Sequence, residues 1–378
     1  MMRVAISYRV LQSWRVPVFE KLSKIEDLDL CVFYSDDFEG TKVKSYKGSV
    51  DFSTIKLETK KFSFTTRNGK AYIPYNPKLY KELDKFNPDV IIVEGASNII
   101  NNVTSFIYSK RKNKKIIQWG LGEIEGRRKS IHRKLADIFF NYIERNSDSA
   151  ISYSSYGSEY YKKIGIIESA VFTAVNVVDT EKRLSELKNY CLSNNLVYPS
   201  PLPEKCNLLF VGALSENKNV DLLIKVFSKL CNLNDNIHLT IVGDGPLRKE
   251  FEKLAFDLNV NDHVSFLGNQ TVLAPYMYNA TLMVLPGLGG LAISDALIHG
   301  VPVVCTIGDG CEKDLIVNNG LIIKNINEDN LFENLQNLIL SKSELIRMRK
   351  EAQNFEFSKF NINNYVDVIY RAVRYVCN

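Results

Sequence analysis

The chain lacks the features that would hold it in a membrane or export it. No run reaches the ~18 uninterrupted apolar residues that a membrane-spanning helix needs, and the longest candidate, 282–293, is broken by Pro286 and by glycines. The first residues enter a strand-like pattern directly and do not have the layout of a signal peptide. The seven cysteines are scattered, without the paired spacing of a metal site, and an odd count suits a reducing compartment. We therefore expect a cytoplasmic protein.

The composition excludes disordered and repeat proteins and leaves an ordinary globular one. A length of 378 residues predicts two domains, and 45% hydrophobic and 24% charged residues are typical of a soluble protein. The net charge of +5 is uneven, because residues 110–134 contain ten Lys or Arg and two Glu, a balance of +8. This basic segment suits an anionic lipid surface or a pyrophosphate-linked substrate. An ordinary solvated face is the equally weighted alternative.

Apolar strand patterns alternate with helical patterns along the whole chain, which predicts parallel α/β sheets. In the first half, strands are predicted at residues 3–7, 28–34, 89–93, 115–119, 149–153 and 170–174. Residues 36–76 are polar and are predicted to be irregular. Three prolines within 199–203 predict a stiff connector. We therefore predict a first domain over 1–180, a linker over 181–205, a second domain over 206–358 and a final helical segment over 359–378.

The second half contains apolar strands that end in glycine. They lie at residues 207–218, 241–246, 266–268 and 289–304. The second and fourth run straight into a helical pattern, and in the first Lys218 closes a short turn before another helical pattern. Glycine lets the backbone approach a ligand, while free N–H groups at a helix start attract negative charge. Three strand–glycine–helix units in one half of the chain therefore indicate a bound nucleotide diphosphate.

The order and spacing of these segments resemble the nucleotide-sugar domain of glycosyltransferase family 4. The matching positions are Gly212, Leu214, Lys218, the 243–246 turn, Phe266, Gly268, Asp295, Ala296 and 300–303. The resemblance implies the GT-B fold, which is α/β, with two Rossmann-like parallel-sheet domains facing a central cleft. It also implies a donor on the second domain, an acceptor on the first, and a final helix that crosses back to the first domain.

Two residues are implied by the resemblance to be catalytic. Lys218 would stabilise the leaving diphosphate, because an ammonium aimed at developing negative charge lowers the barrier; a solvated lysine in a first helical turn is the alternative. Asp295 stands where the family has a Glu that accepts hydrogen bonds from the ribose. Its alternative is an exposed carboxylate that favours the helix dipole.

The remaining donor contacts follow the same resemblance. The predicted donor-binding residues are Gly212, Ala213, Gly243, Gly268, Gly289, Gly290, Leu291 and Ser294. The N–H groups of the two adjacent glycines would hold the β-phosphate; close backbone packing is the alternative. Ala213 replaces a family Arg, and the candidates for a substitute cation are Arg248, Lys313 and Arg9. Gly287 replaces a family Glu that contacts the sugar, so we expect the sugar to be read through the Leu288 backbone or the Ser294 hydroxyl.

The acceptor side is less specific. The loop after the first strand contains Arg9 and Arg15, which could hold an anionic acceptor because ligands of open α/β sheets bind at the carboxyl ends of strands. Glu123 could bind an acceptor hydroxyl, and it follows Leu121, where related enzymes have His. Core or surface roles are about equally favoured for these three charged residues.

The resemblance implies a retaining glycosyltransferase of the hexosyltransferase type. It would move a sugar from a nucleotide-diphosphate sugar to a lipid-linked or oligosaccharide acceptor in surface polysaccharide synthesis, such as O-antigen or capsule. We expect no metal, no other cofactor and no nucleic-acid partner, and a location on the inner face of the cell membrane through the basic segment. The alternatives are a non-catalytic nucleotide-sugar-binding or scaffold subunit and a GT-B nucleotide-sugar 2-epimerase, for which His299 and Glu123 would be poor proton carriers.

Overall fold

A computed structural model of the protein describes residues 1–35, 45–66, 69–95, 98–123 and 140–378. The chain divides into two compact units. Unit 1 consists of Met1–Val175 and Ile362–Asn378, and unit 2 of Asn176–Asn361. None of the described helices combines the length and the apolarity needed to cross a membrane.

Unit 1 is built on a parallel sheet of seven strands. Its described strands are β1 (Met2–Tyr8), β2 (Leu28–Ser35), β3 (Ser53–Leu57), β4 (Lys60–Thr66), β5 (Gly69–Tyr75), β6 (Val90–Glu94), β7 (Lys115–Gly120), β8 (Ser149–Ser152) and β9 (Val171–Thr173). The sheet order is β3-β2-β1-β6-β7-β8-β9, and β4 and β5 form a separate antiparallel pair. The central strands β1 and β6 each bury an apolar run, Val4–Ile6 and Val90–Val93, as a sheet covered on both faces requires. The predicted irregular region 36–76 therefore holds three strands in its described part.

Four described helices and the C-terminal helix pack on this sheet. They are α1 (Val16–Ser23), α2 (Leu79–Phe86), α3 (Ile99–Lys112), α4 (Ser155–Lys163) and the C-terminal helix (Ile362–Cys377). The Ser154 hydroxyl caps α4 by accepting from the Gly157 N–H. The C-terminal helix buries one apolar stripe at helical spacing, including Tyr365, Ile369 and Val376, against α1 and the sheet of unit 1.

Unit 2 is built on a parallel sheet of six strands. They are β10 (Cys206–Val211), β11 (Ile237–Val242), β12 (Val264–Phe266), β13 (Leu282–Leu285), β14 (Val303–Thr306) and β15 (Gly320–Ile323), in the order β12-β11-β10-β13-β14-β15. Its helices are α5 (Thr180–Ser193), α6 (Val220–Cys231), α7 (Arg248–Asp257), α8 (Ala274–Tyr278), α9 (Leu291–Ile298), α10 (Cys311–Leu315), α11 (Glu328–Leu340) and α12 (Lys342–Gln353). Order reverses between β10 and β13, and ligands of such sheets bind at the carboxyl edge near this point.

The prediction of a linker over 181–205 is corrected by the structure, because these residues are an integral part of unit 2. Helix α5 is capped by the Asp179 carboxylate, which accepts from the Lys182 N–H at 3.1 Å, and it packs against α8 and α9. The proline-rich stretch is also fixed. The buried Arg349 guanidinium donates to the Ser200 carbonyl at 3.0 Å and to its hydroxyl at 2.7 Å. The first boundary between the two units lies between Val175 and Asn176.

Candidate active site

Three glycines form a continuous backbone surface at the carboxyl edge of the unit 2 sheet. Gly243 lies on Gly212 so closely that a Cβ at 243 would stand 1.9 Å from the Gly212 oxygen. The Gly243 N–H donates to the Gly268 carbonyl at 2.8 Å, and its φ of 136° favours glycine. The structure thus brings these three predicted donor-binding residues together, and their first requirement is close backbone packing.

Lys218 ends a 3-10 turn that clamps the loop after β13. The turn spans Glu216–Lys218, and the Lys218 Nζ donates to the Leu288 carbonyl. The Leu288 N–H donates in return to the Asn217 carbonyl at 3.2 Å. The Asn219 amide donates to the Pro286 carbonyl at 3.0 Å. These bonds place the ammonium of Lys218 beside the predicted glycine turn at 289–290.

Gly287 packs directly against this turn. A Cβ at 287 would stand 2.3 Å from the Asn217 oxygen and 2.6 Å from the Lys218 Cα. The contacting atoms are backbone, so a side chain could be accommodated only if the turn moved. The departure from the family's Glu at this position is therefore coupled to the position of Lys218.

The glycine turn leads into α9. Gly290 is the residue before the helix and has a φ of 60°, a left-handed conformation that favours glycine. Leu291 is the first residue of α9. The N–H groups of a first helical turn lack intrahelical partners, so the start of α9 has the geometry for holding a negatively charged group.

Ser294 faces the interior of unit 2. Its hydroxyl donates to the Leu291 carbonyl at 2.9 Å and accepts from the Val178 N–H at 3.1 Å. The side chain is 2% exposed. The hydroxyl therefore anchors the start of unit 2 on α9, which corrects the expectation that it faces the sugar.

Asp295 is buried and paired with a cation that sequence analysis missed. Its Oδ1 lies 2.8 Å from Nε of Arg183, which also pairs with Glu186 at 2.9 Å. Burial raises the pKa of Asp295 to about 6, and the Arg183 charge opposes this rise. Arg183 lies on α5, within the predicted linker, and no pattern in the sequence connects it to a residue 112 positions later. The exposed alternative for Asp295 is wrong.

Ala213 follows Gly212 directly in the loop after β10. This loop is joined to the loop after β11 by the Leu214 N–H, which donates to the Asp244 carbonyl at 3.0 Å. Of the proposed substitute cations, Arg248 contacts one of the three glycines, Gly268. Its Nε pairs with Glu252 at 2.7 Å, and its Nη1 would stand 3.1 Å from a Cβ at Gly268. Lys313 lies on α10, and Arg9 belongs to unit 1.

The loop after β14 borders the glycine turn and was missed by sequence analysis. The Glu312 carboxylate is 1% exposed and accepts from the N–H groups of Gly308 and Gly310, each at 3.0 Å. Burial raises the pKa of Glu312. The Asp309 Oδ1 accepts from the Cys311 N–H at 3.2 Å, and its Oδ2 would stand 3.4 Å from a Cβ at Gly290. This loop thus brings a carboxylate to the start of α9.

Comparison with known proteins identifies the domain that contains this site. Residues 200–355 match the family model described as glycosyl transferases group 1. The six-stranded sheet, the Lys218 turn and α9 all lie within the matched residues.

Individual relatives and solved structures agree with this result. An uncharacterised glycosyltransferase of Methanocaldococcus jannaschii, MJ1059, is 23% identical over 61% of the chain, and the match spans 58% of that protein. An α-1,4-N-acetyl-D-galactosaminyltransferase of Campylobacter jejuni, whose name includes a PP-undecaprenol-linked saccharide, is 26% identical over 61% of the chain and 74% of its own length. Anabaena HepE, solved with UDP, aligns with a TM-score of 0.72 at 14% identity over 99% of this chain and 100% of its own. The GT-B fold expected from the sequence is confirmed.

In unit 1, Arg15 corrects a prediction. The side chain is 3% exposed and lies 4.9 Å from the Trp119 ring centroid and 5.0 Å from that of Tyr153. It donates to the Tyr365 hydroxyl at 2.7 Å and the Tyr8 hydroxyl at 3.2 Å. This aromatic cage encloses the guanidinium, so Arg15 does not face an acceptor.

Arg9 and Glu123 lie at the carboxyl edge of the unit 1 sheet. The Arg9 N–H donates to Oε2 of Glu94 at 2.7 Å, and burial lowers the pKa of the Arg9 guanidinium. Burial also raises the pKa of Glu94. Glu123 is half-buried and directly precedes residues outside the described part. Their acceptor roles stay predictions.

The basic segment 110–134 is described only as far as 123. In this part Lys112 pairs with Asp84 at 2.6 Å and Lys115 with Asp148 at 3.3 Å. Part of the local positive charge is therefore compensated by neighbouring carboxylates. The cluster at 127–134 lies outside the described residues.

Metal-dependent transferases of another fold hold their divalent ion with an Asp-x-Asp motif. One such sequence, Asp27-Leu28-Asp29, occurs here at the amino end of β2. The Asp27 Oδ2 accepts from the Tyr370 hydroxyl at 2.8 Å, and Asp29 pairs with Arg3 at 3.1 Å. Both carboxylates thus make structural contacts at the edge of the sheet opposite to the carboxyl edge.

Proposed function

We propose that the protein transfers a sugar from a nucleotide-diphosphate sugar to a lipid-linked or oligosaccharide acceptor in surface polysaccharide synthesis. The observation that carries this proposal is the clamped Lys218 ammonium beside the Gly289–Gly290 turn at the start of α9. The name of the C. jejuni relative and the UDP bound by HepE are consistent with such an acceptor and donor.

In the proposed reaction the diphosphate leaves while it gains negative charge. The Lys218 ammonium and the N–H groups at the start of α9 stabilise that charge, because donors fixed in advance need no reorganisation during the reaction. The carbonyl of Leu288 holds the ammonium in place. The leaving diphosphate accepts the proton of the acceptor hydroxyl on the same face of the sugar, so configuration is retained and no protein nucleophile is required.

The proposal includes no metal ion. The work that a divalent cation performs on a diphosphate in other transferases is assigned to Lys218 and to the helix start. We also propose that Arg127, Arg128, Lys129, Arg133 and Lys134 bring the enzyme to an anionic membrane surface, where a lipid-linked acceptor is found.

A thermal-shift screen with UDP, GDP and their sugar conjugates tests the donor class, because a ligand that binds the native state raises stability by mass action. Incubation of the stabilising sugar nucleotide with the protein alone then tests catalysis. Release of free sugar, followed by mass spectrometry, would identify an enzyme. Binding without hydrolysis, and without transfer to any lipid-linked or oligosaccharide acceptor tested, would indicate a binding subunit.

A further inference from the structure

We infer that Asp309 determines donor specificity by accepting a hydrogen bond from a hydroxyl of the transferred sugar. This inference rests on the proposed function, because it assigns a part of the same site. Asp309 lies on the loop after β14, and β14 is the neighbour of β13 in the sheet.

The groups that the sequence offered as sugar contacts are used within the protein. Position 287 has no space for a side chain beside Asn217 and Lys218. The carbonyl and N–H of Leu288 both bind the 3-10 turn. The Ser294 hydroxyl binds the backbone of Leu291 and Val178. The sugar must therefore be recognised by another group near the glycine turn.

The loop that carries Asp309 is fixed in position from its interior. The buried Glu312 carboxylate accepts from the N–H groups on both sides of Asp309, those of Gly308 and Gly310. A Cβ at Gly308 would stand 3.5 Å from the Gly289 nitrogen, so the two loops are in contact. The Glu312 carboxylate thus fixes the backbone on both sides of Asp309 and leaves the Asp309 carboxylate outside this contact.

The Asp309 carboxylate is held by Cys311 and lies beside the glycine turn. Oδ1 accepts from the Cys311 N–H at 3.2 Å, and the Cys311 thiol also hydrogen-bonds to this carboxylate. Oδ2 would stand 3.4 Å from a Cβ at Gly290. The side chain is only half-buried, so a ligand can reach it.

The chemistry of this position favours a sugar hydroxyl. An ionised carboxylate only accepts hydrogen bonds, and sugar hydroxyls donate them. In the proposed site the β-phosphate lies on the N–H groups of the glycine turn, and the sugar is bonded directly to that phosphate. A carboxylate at the edge of the turn therefore meets the sugar.

The experiment compares a nucleoside diphosphate with its sugar conjugate by calorimetry. UDP and UDP-glucose are used, or GDP and GDP-mannose if that pair stabilises the wild type. Asp309→Ala should weaken the sugar nucleotide about 10- to 100-fold, as expected for loss of a hydrogen bond to a charged group. The affinity for the diphosphate alone should change by less than about twofold. Asp309→Asn keeps an oxygen acceptor for the Cys311 N–H and should show a smaller loss on the sugar nucleotide alone.

The control is Asp329→Asn, the same exchange on the exposed start of α11, with melting curves for every variant. Equal weakening of both ligands by Asp309→Ala would overturn the inference, because it would indicate a collapsed loop. Unchanged affinity for both ligands would overturn it as well. In either case the wild type still binds, so the proposed function survives. If the wild type binds neither ligand pair, the proposed function fails and this inference fails with it.

Discussion

Gly287 and Lys218 are in backbone contact, and each position depends on the other. A Cβ at 287 would stand 2.6 Å from the Lys218 Cα, and the same turn holds the Lys218 Nζ on the Leu288 carbonyl. A side chain at 287 would therefore displace the turn that holds the ammonium on the Leu288 carbonyl. This relationship gives the first prediction.

Gly287→Ala should push the 3-10 turn away from the loop after β13. Overpacking of this kind costs about 1–3 kcal/mol of unfolding free energy. We expect a lower melting temperature and weaker binding of the nucleoside diphosphate by calorimetry. Gly95→Ala is the control, since its Cβ would meet its nearest neighbour at an ordinary 3.4 Å. Wild-type binding by Gly287→Ala would separate the turn from the ligand site.

Lys218→Ala should weaken binding of the nucleoside diphosphate by about 1.5–3 kcal/mol, because it removes a hydrogen bond from a charged donor. Calorimetry with the nucleotide found in the screen measures this. Lys225→Ala is the matched control, since Lys225 is half-exposed on α6 and pairs with Asp221 at 3.3 Å. An affinity equal to the wild type would place the phosphates elsewhere.

The free energy of unfolding should depend on pH through the protonation of His299. Burial lowers its pKa from 6.5 to about 4, so the unfolded state binds this proton more tightly. Its contribution to stability is present above about pH 6.5 and is lost as the pH falls towards 4. Asp295 acts in the opposite sense, since its pKa is raised from 3.8 to about 6 and its contribution is lost as the pH rises through 6.

His299→Gln should therefore leave the Asp295 contribution unopposed. We expect the variant to lose less stability than the wild type on acidification from pH 6.5 to 4, measured by urea unfolding at a series of pH values. Parallel pH profiles for the two proteins would show that the His299 charge has no part in acid unfolding.

Sugar transfer should persist after chelation of divalent metals, because Lys218 and the start of α9 are assigned the leaving diphosphate. The assay is product formation with and without EDTA, followed by dialysis. Activity that disappears with EDTA and returns with manganese or magnesium would contradict the metal-free reaction.

The basic cluster should bind anionic vesicles in a salt-dependent manner. Each Lys or Arg near such a surface contributes ~1 kcal/mol, and the attraction is screened within ~10 Å at 0.1 M salt. We expect co-sedimentation with phosphatidylglycerol vesicles at low salt and release at high salt. Exchange of Arg127, Arg128, Lys129, Arg133 and Lys134 to Gln should abolish it, whereas Lys112→Gln, at a position paired with Asp84, should change it little. Equal binding by both variants would leave the cluster as an ordinary solvated face.

The elements of the fold that depend on local pattern could be predicted from the sequence. Strand β10 and its glycine turn were found because apolar runs and glycine are read directly along the chain. Strand β3 was missed, since much of it is exposed or half-buried at the edge of the sheet and its apolar pattern is correspondingly weak.

The chemistry of the site was only partly predictable. Lys218 follows from its spacing after Gly212, but the partners of Arg15 and Asp295 come from distant segments. Tyr365 and Arg183 reach these residues through the fold, and burial changes what each charge does. Contacts between such distant segments cannot be predicted from the spacing of residues in a motif.

The C-terminal helix also sets the order in which the protein can be completed during synthesis. The phenol that binds Arg15 belongs to Tyr365, 350 residues further along the chain. All of unit 2 is therefore synthesised before the last helix of unit 1 leaves the ribosome, and domains generally fold as units during translation. Although unit 1 contains the first residue, its core is closed last, and a nascent chain that stops before 362 carries an unfinished aromatic cage.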